Sequence, residues 1–526
     1  MKMRKSDGRV KVLPSKKPIW KPVTLAMGLT GVLLTALITP CAQGGIAFTT
    51  LYSFTGGNDG AKPASALLPG ADGNFYGTTG SGGEYGAGTV YQITPDGGFT
   101  NLFSFAGGSE ILGAAFAGLV QDSHGCLFGT TYGNGYGATY FGNSNIVNGS
   151  VFKMTTNGGL IWSVLFSGTN GSHPRGGLIQ GADGNFYGTT EYGGTNLNNY
   201  IGNGYDGCGT VFKITPDGVL TTLYSFGAIT DSQGVPSDGC NPYAALVAGA
   251  DGNFYGTTHL GGTNNGVGWG TVFKITTNGT LTTLYSFGAT SGSSGQALDG
   301  AWPEGNLVQG ADGNLYGTTF YGAANGEGTV FKMTTNGTLI WSFASFGMGD
   351  GTGGNNGGGP SAGLVQGSDG NFYGTTQLGG DYPSTNHDNG TIFKITADGA
   401  LTSLLSFSGS NAPNLGGQAH GAMVQGRDGC FYGTTGLGGA NDVGVIFRLG
   451  VPMPAVFTGV QQMNGAFTFT WRAVAGQMYQ LQCNSDLNST NWNNLGSPFA
   501  ATNGMMTNFD ASSPDPKRFY RLVLLR

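Results

Sequence analysis

The residues best suited to bind a ligand flank a proline that recurs along the chain, at Pro63, Pro174, Pro242, Pro303 and Pro360. Each proline opens the same short apolar segment, while the side chains on either side of it change from one occurrence to the next. Cations, a carboxylate and aromatic rings in one place would hold a polar molecule by charge, hydrogen bonds and stacking. The predicted ligand-binding residues are Lys62, His173, Arg175, Tyr243, Trp302, Glu304 and His420.

Motifs of known catalytic sites are absent from the sequence. It contains no His-Glu-x-x-His zinc motif, no phosphate-binding loop with its lysine and no nucleophile elbow. The five histidines are scattered, so no metal ion and no cofactor are predicted. Glu304 and Asp299 could serve acid–base work on a glycoside, on the strength of their closeness in sequence alone. The sequence predicts no catalytic residue and favours a function without catalysis.

The elements that must position these residues contain copies of one octapeptide, Asp-Gly-Asn-Phe-Tyr-Gly-Thr-Thr. A near-fixed period of 52 to 68 residues indicates one structural unit repeated seven times. Each unit resolves into four strand-like pieces joined by Asp-Gly or Asn-Gly turns, such as 177–180, 185–190, 210–215 and 220–226. The copies are Asp72–Thr79, His124–Thr131 (degraded), Asp183–Thr190, Asp251–Thr258, Asp312–Thr319, Asp369–Thr376 and Asp428–Thr435.

Seven four-stranded units predict an all-β fold, a seven-bladed β-propeller over residues 47–449. The ends of the repeat support a closed ring. The seventh unit stops after its third strand, and an orphan fourth strand, Phe48–Phe54, precedes the first unit. Pairing the two would close the ring and hide its edge strands. The alternative, an open β-solenoid, would not need this circular offset.

The two ends of the chain differ from the repeat. Residues 1–42 hold eight basic residues before the apolar run Val23–Ile38, the pattern of a signal peptide. A membrane anchor is the alternative, but this run of 16 residues is shorter than the roughly 20 that span a bilayer. After Pro452 and Pro454, residues 455–526 alternate apolar and polar positions, which predicts a small β-sandwich without a further membrane span.

Charge excludes two classes of partner. The whole chain has a formal net charge of −6, and only 10% of its residues are charged. Residues 1–42 carry a net charge of +7, so the remaining chain has a more negative net charge than the whole. Such a protein has no electrostatic footprint for nucleic acid or for an anionic membrane surface.

Two cysteines fall on one face of neighbouring units. Cys208 lies in the link between the second and third strands of unit 3, and Cys240 lies in the link that leads into unit 4. Propeller geometry places these two kinds of link on the same face. In an oxidising compartment, Cys208 and Cys240 are a candidate disulfide, and two free thiols are the alternative.

The repeat resembles a known family. The units Asp-Gly-Asn-Phe-Tyr-Gly-Thr-Thr … Gly-Thr-Val-Phe-Lys-Ile-Thr-Pro-Asp-Gly … Leu-Tyr-Ser-Phe are similar to the GloVer tandem repeat of secreted bacterial proteins. That resemblance implies export and a surface location, and it implies no activity. The C-terminal stretch resembles a fibronectin-like accessory module of such proteins.

Function is predicted on the face with variable loops, since a rigid scaffold with variable loops is where binding usually lies. The first hypothesis is a secreted or cell-surface propeller, periplasmic or outside the cell, that binds a polysaccharide or a surface protein. The alternatives are a glycan-active hydrolase or lyase with carboxylates at the channel mouth, and a structural adhesion component. Further aromatic residues predicted on this face are Tyr132, Tyr136, Tyr140, Tyr192, Tyr200, Tyr205, Trp269 and Tyr382.

Overall fold

The computed structural model describes the chain from residue 46 to residue 525 with internal gaps. The gaps are residues 107–114, 134–147, 197–206, 265–267, 294, 344–345, 349–354, 382–388, 410–414, 452–456, 464–465, 474–477, 485–490, 502–504 and 511–518. The predicted signal peptide, residues 1–42, lies outside the described part. None of the described segments forms a helix with the length and apolar character needed to cross a membrane.

Seven four-stranded antiparallel sheets make up the repeat region. Unit 1 contains Leu68–Pro69, Phe75–Thr78, Thr89–Ile93 and Phe99–Ser104; unit 2 contains Val120–Gln121, Leu127–Thr131, Ser150–Met154 and Leu160–Leu165; unit 3 contains Ile179–Gln180, Phe186–Thr190, Thr210–Ile214 and Leu220–Ser225. Unit 4 contains Val247–Ala248, Phe254–Thr258, Thr271–Ile275 and Leu281–Ser286; unit 5 contains Val308–Gln309, Leu315–Thr319, Thr329–Met333 and Leu339–Phe343. Unit 6 contains Val365–Gln366, Phe372–Thr375, Thr391–Ile395 and Leu401–Ser406; unit 7 contains Val424–Gln425, Phe431–Thr435, Val445–Gly450 and Ala47–Ser53.

The N-terminal strand closes the ring. Ala47–Ser53 pairs antiparallel with Val445–Gly450, in a register that sets Ala47 opposite Gly450 and Ser53 opposite Val445. The fourth strand of unit 7 therefore comes from the other end of the repeat region, as the orphan strand predicted. The fold is all-β and of the β-propeller type.

The innermost strand of each unit is shorter than predicted. In unit 3 only Ile179–Gln180 pairs as a strand, whereas the sequence predicted residues 177–180. The residues just before this strand bond the neighbouring unit instead: the Thr130 hydroxyl donates to the carbonyl oxygen of Gly176 at 3.3 Å. At the closing junction, the Thr434 hydroxyl donates to the carbonyl oxygen of Ser65 at 3.0 Å.

Aromatic rings of the octapeptide join neighbouring units. In most copies the ring of its Tyr position stacks on the Phe position of the next unit, so the core of each unit is completed by its neighbour. The contact also spans the closing junction between units 7 and 1. The pairs and their ring-centroid distances are Phe128–Phe186 (4.0 Å), Tyr187–Phe254 (4.3 Å), Tyr316–Phe372 (3.9 Å), Tyr373–Phe431 (4.3 Å) and Tyr432–Phe75 (4.2 Å).

The acidic residue of the octapeptide is a turn residue. In unit 3, one carboxylate oxygen of Asp183 accepts the Asn185 backbone N–H at 3.2 Å, and the other accepts the Tyr187 hydroxyl at 2.7 Å. The same pair of contacts recurs at Asp251 and Asp312. These aspartates fix the hairpin and the aromatic ring that follows it.

The C-terminal region forms two further sheets. The first contains Phe457–Met463, Ala466–Arg472 and Met505–Asp510, and the second contains Met478–Asn484, Asn493–Asn494, Phe499–Ala500 and Phe519–Leu525. One buried cluster joins Phe469 and Trp471 of the first sheet to Tyr479 and Leu481 of the second. This is the packing of a small β-sandwich. A separate two-stranded sheet, Gly347–Met348 with Asn355–Gly357, lies between units 5 and 6 in sequence.

Cys208 and Cys240 form a disulfide in the structure, with Cα atoms 4.5 Å apart. Both are fully buried, at the junction of units 3 and 4. The backbone N–H of Asn241 donates to the carbonyl oxygen of Cys208 beside them. The bridge therefore fixes the chain where it enters unit 4.

The hydroxyl that bonds unit 7 to unit 1 provides a test of ring closure. Thr434→Val leaves the Ser65 carbonyl without this donor, so we expect a loss of about 1–3 kcal/mol in the free energy of unfolding. Thr257→Val is the matched control, because Thr257 occupies the same repeat position and its buried hydroxyl has no hydrogen-bond partner. We expect Thr257→Val to be neutral or stabilising in urea unfolding. Equal losses in the two variants would contradict this account.

Candidate functional site

A cavity of about 560 Å³ occupies the centre of the ring. All seven units line it with the segment that leads into their innermost strand. The residue that follows the recurring proline, or its counterpart, reaches the cavity in every unit; we call this the rim position. The rim residues are Ala64, Phe116, Arg175, Tyr243, Glu304, Ser361 and His420.

The residue before the proline, the entry position, has a left-handed backbone conformation. Lys62, His173, Asn241, Trp302 and Gln418 have φ between 52° and 57°, and Gly359 of unit 6 has φ 57°. The backbone of this residue bridges two units: the N–H of His173 donates to Asn148 of unit 2, and its carbonyl accepts the N–H of Glu191. A non-glycine residue in this conformation costs roughly 1–2 kcal/mol. These bridging hydrogen bonds hold it in place.

A second ring of variable residues follows the Thr-Thr pair of each octapeptide. In units 1 and 3 to 7, their backbone N–H groups donate to the carbonyl oxygens of the entry residues, as Gly80 does to Lys62 and His259 to Asn241. Sequence reasoning missed this ring as a set of site residues. The signal was present, because seven near-identical copies are followed by seven positions that disagree. The second-ring residues are Gly80, Tyr132, Glu191, His259, Phe320, Gln377 and Gly436.

Five of the seven predicted ligand-binding residues line the cavity, and two do not. Lys62, Arg175, Tyr243, Glu304 and His420 line it. His173 is buried, with its ring 4.8 Å from Tyr132 and 5.7 Å from Tyr192. Trp302 is half-buried, with its ring 4.8 Å from that of Tyr321.

The size of the second-ring residue explains the difference between these entry residues. In units 1 and 7 that residue is glycine, Gly80 or Gly436, and the entry side chains Lys62 and Gln418 line the cavity. In units 3 and 5 it is Glu191 or Phe320, and the entry side chains pack among aromatic rings instead. The size of the second-ring residue thus accounts for which entry side chains line the cavity.

Units 3 to 5 contribute a continuous stack of planar groups. The Arg175 guanidinium lies 4.5 Å from the centre of the Tyr243 ring, a cation–π contact. Tyr243 stacks on His259 with ring centroids 4.4 Å apart, and His259 lies 5.2 Å from Trp302. This arrangement fixes the orientation of Arg175 and Tyr243 at the cavity.

A buried carboxylate lies beside this stack. Glu191 is 2% exposed, and one of its oxygens accepts the Tyr132 hydroxyl at 3.0 Å. Burial raises the pKa of Glu191, although the Arg175 charge and hydrogen bonds from tyrosine hydroxyls oppose the rise. Glu191 does not line the cavity; it holds Tyr132, which does.

Glu304 is the carboxylate that lines the cavity. Its Oε1 lies 3.6 Å from Nδ1 of His259, and its side chain is 17% exposed. Burial raises the pKa of Glu304 to about 7, with the Arg175 charge opposing the rise and Glu191 adding to it. Burial, together with Arg175, lowers the pKa of His259 to about 3, so this imidazole is neutral near pH 7. Glu304 can therefore exchange a proton near neutral pH.

The opposite arc, in units 6 and 7, offers hydrogen-bonding groups in place of rings. Nε2 of Gln377 lies 2.8 Å from Nδ1 of His420 and also donates to the Ser361 hydroxyl. Burial, with a smaller effect of Arg175, lowers the pKa of His420 to about 4. His420 is therefore a neutral hydrogen-bonding group of the cavity near pH 7.

One polar side chain interrupts the next layer of the channel. Six units place Ala or Gly there, and unit 5 places Asn306, whose Oδ1 accepts the backbone N–H of Ala245 at 2.7 Å. The small residues leave the space that forms the cavity. The residues of this layer are Ala66, Gly118, Gly177, Ala245, Asn306, Gly363 and Ala422.

Other predicted residues have different places. The Asp299 carboxylate accepts the Tyr285 hydroxyl at 2.6 Å and the N–H groups of Gly288 and Ala289, so it anchors a loop and does not line the cavity beside Glu304. Trp269 packs 6.4 Å from Trp302. The loop aromatics Tyr136, Tyr140, Tyr200, Tyr205 and Tyr382 lie outside the described residues. Within the described part of the chain, no three His, Cys, Asp or Glu side chains are grouped to hold a metal ion.

Comparison with known proteins finds no family match and only remote likenesses to solved structures. No model of a protein family matches the chain, and no curated protein matches it. PorZ, a surface component of the type-IX secretion system of Porphyromonas gingivalis, is 14% identical with a TM-score of 0.44, over 86% of this chain and 56% of PorZ. The chain thus spans little more than half the length of PorZ.

Two other solved structures are enzymes. A putative oxidoreductase (glucose dehydrogenase) from Thermus thermophilus is 15% identical with a TM-score of 0.35, over 77% of this chain and 100% of that protein. An α-L-arabinofuranosidase from Clostridium thermocellum is 15% identical with a TM-score of 0.30, over 55% of this chain and 92% of that enzyme. Likeness at this level carries no argument about fold or function. The GloVer and fibronectin-like resemblances rest on the sequence motifs.

The raised pKa of Glu304 predicts a pH-dependent contribution to stability. The folded protein keeps a proton on Glu304 that the unfolded chain releases near its ordinary pKa of 4.5. The stabilisation is complete below about pH 4.5 and is lost as pH rises through about 7. As pH rises from 5 to 8, the free energy of unfolding should therefore fall by roughly 2–3 kcal/mol less in Glu304→Gln than in the wild type.

The control for this measurement is Glu84→Gln, which makes the same change at an exposed position. Unfolding by urea at several pH values gives the difference between each variant and the wild type, which cancels the titration of the buried histidines. Parallel pH profiles for the wild type and Glu304→Gln would show that Glu304 titrates as an ordinary carboxylate.

Proposed function

We propose that this protein is an exported, non-catalytic β-propeller that binds a saccharide at the mouth of its central channel. The asymmetry of the mouth carries the proposal. Units 3 to 5 supply a stack of aromatic rings with a guanidinium, and units 6 and 7 supply amide, hydroxyl and imidazole groups. A sugar ring has an apolar C–H face that packs on an aromatic ring, and hydroxyls that bond such polar groups.

The shape of the site favours a small ligand over a protein surface. Ligand pockets have volumes of roughly 300–1,000 Å³, are largely apolar and contain a few well-placed polar groups. The cavity of about 560 Å³ fits this description, with Asn306 as a polar group at depth. A specific protein interface needs roughly 800 Å² of surface on each partner, which a concave mouth does not supply. We therefore favour an oligosaccharide, or the end of a polysaccharide, over a surface protein as the partner.

Export is supported by three features of the chain. The basic and apolar leader has the pattern of a signal peptide, and the repeat resembles that of secreted bacterial proteins. The disulfide between Cys208 and Cys240 is of a kind that persists in oxidising compartments. We propose a mature protein made of the propeller, residues 47–449, and the sandwich module, residues 455–526, secreted or held at the cell surface.

The environment of Glu304 favours a second candidate, an enzyme that cleaves the bound glycan. A carboxylic acid with a pKa of about 7 at a cavity can donate a proton to a leaving oxygen near neutral pH. Incubation with polysaccharides and measurement of new reducing ends and of unsaturated products tests it. Product that forms with the wild type and does not form with Glu304→Gln would establish catalysis. Retention of intact glycan favours binding, and the absence of any retention favours a structural adhesion component.

Tyr243 offers the sharpest test of the binding site. We expect Tyr243→Ala to weaken the binding of oligosaccharides on a glycan array by about tenfold, or 1.4 kcal/mol, because the ring that lines the cavity and orients Arg175 is lost. Trp302→Ala should have a smaller effect, since Trp302 acts through His259. Tyr85→Ala is the control, an aromatic residue that is 57% exposed away from the cavity. Unchanged affinity in a folded Tyr243→Ala protein would exclude the mouth as the site.

A further inference from the structure

The charges at the cavity distinguish it from the rest of the protein. Among the described residues that line it, the charged side chains are Lys62, Arg175 and Glu304. The chain as a whole is acidic, with a formal net charge of −6. Two cations therefore share the cavity with one carboxylate in a protein where acidic residues outnumber basic ones. An electropositive cleft of this kind concentrates anions.

The two cations come from one arc of the ring. Lys62 belongs to unit 1 and Arg175 to unit 3, with the ring of Phe116 lining the cavity from unit 2 between them. Tyr243 of unit 4 continues the arc and carries the guanidinium on its face. The Tyr243 ring lies between Arg175 and His259 and holds the guanidinium at the cavity. A ligand in the cavity therefore meets a cation of fixed orientation.

Two acids, Glu191 and Glu304, share the environment of Arg175. Burial biases Glu191 and Glu304 towards the protonated form, and the charge of Arg175 opposes that bias in both. Arg175 also contributes to the lowered pKa of His259 and of His420, and both imidazoles are neutral near pH 7. They therefore add no positive charge to the cavity. A guanidinium has five N–H donors in a planar fork, so it can keep its protein contacts and still take a ligand carboxylate.

We propose that the ligand of the channel mouth is an acidic saccharide whose carboxylate is held by Arg175 beside the Tyr243 ring. This proposal rests on the saccharide-binding function proposed above and names its ligand class. Lys62 adds longer-range attraction, since its side chain is exposed at the edge of the same cavity. A sulfate ester offers the same negative charge, and the experiment distinguishes the two groups.

The test compares acids with their own neutral esters. Isothermal titration of the full mature chain uses oligogalacturonate and oligomannuronate, each as the free acid and as the methyl ester, together with a sulfated galactan oligomer. We expect at least one free acid to bind ten times or more tightly than its ester and more tightly than the sulfated oligomer. That preference should decrease with added salt, because part of it is electrostatic.

Two variants of Arg175 assign the preference to this side chain. Arg175→Gln should bring the affinities for the acid and for its ester to within about twofold of each other. Arg175→Lys should retain part of the preference for the acid, because it retains the positive charge and loses the planar fork of N–H donors. Arg427→Gln is the control, since Arg427 is exposed, does not line the cavity and donates a hydrogen bond to the carbonyl oxygen of Ala71.

Each outcome decides between the ligand class and the binding function. Equal binding of acid and ester, unchanged in Arg175→Gln, overturns the acidic ligand and leaves a neutral saccharide site. Tighter binding of the sulfated oligomer overturns the carboxylate in favour of a sulfate. No binding of any of these saccharides, together with an empty glycan array, overturns both proposals. A preference for acid that survives in Arg175→Gln but is lost in Lys62→Gln would overturn the role of Arg175.

Discussion

The ring depends on the contact between an aromatic residue of one unit and that of the next. No single four-stranded unit can bury its own rings, because half of each stack belongs to its neighbour, as with Tyr187 and Phe254. The last stack, Tyr432 on Phe75, requires the two ends of the repeat region to meet. The octapeptide is repeated because this contact is repeated. Its aspartate and threonines serve the same end by fixing the turn and bonding adjacent units.

This construction separates the backbone of the ring from the side chains at its mouth. The octapeptide rings and hydroxyls join the units, while the rim and second-ring side chains contact one another around the cavity, as Arg175 does with Tyr243 and Tyr132 does with Glu191. The entry residue shows the separation at one position: its left-handed backbone is held by hydrogen bonds from two units, whichever side chain it carries. Lys62 and Trp302 therefore occupy the same backbone geometry with different surroundings. The mouth can vary in sequence without loss of the ring.

The sequence was sufficient for the fold because the pattern of period, turns and orphan strand has one closed solution. It was sufficient for most of the rim, since variable residues beside a recurring proline marked Arg175, Tyr243 and Glu304. It was not sufficient for Glu191 or His259, which read as the first residues of long links. Nor could it show that His173 packs between Tyr132 and Tyr192. Those contacts depend on side-chain volume across units, which one-dimensional spacing does not contain.

The loss of symmetry at the mouth is what allows one ligand orientation. Seven equal units would offer seven equivalent poses, and each would compete with the others. Here Arg175 and Tyr243 mark one arc, and Gln377 with His420 marks the other, so a ring-shaped ligand has a distinct apolar and polar side to satisfy. The low exposure of Glu304 makes its charge count for more than it would in water. The copies that disagree, Glu304 and Asn306 among them, therefore give the cavity an asymmetry that the repeated residues cannot.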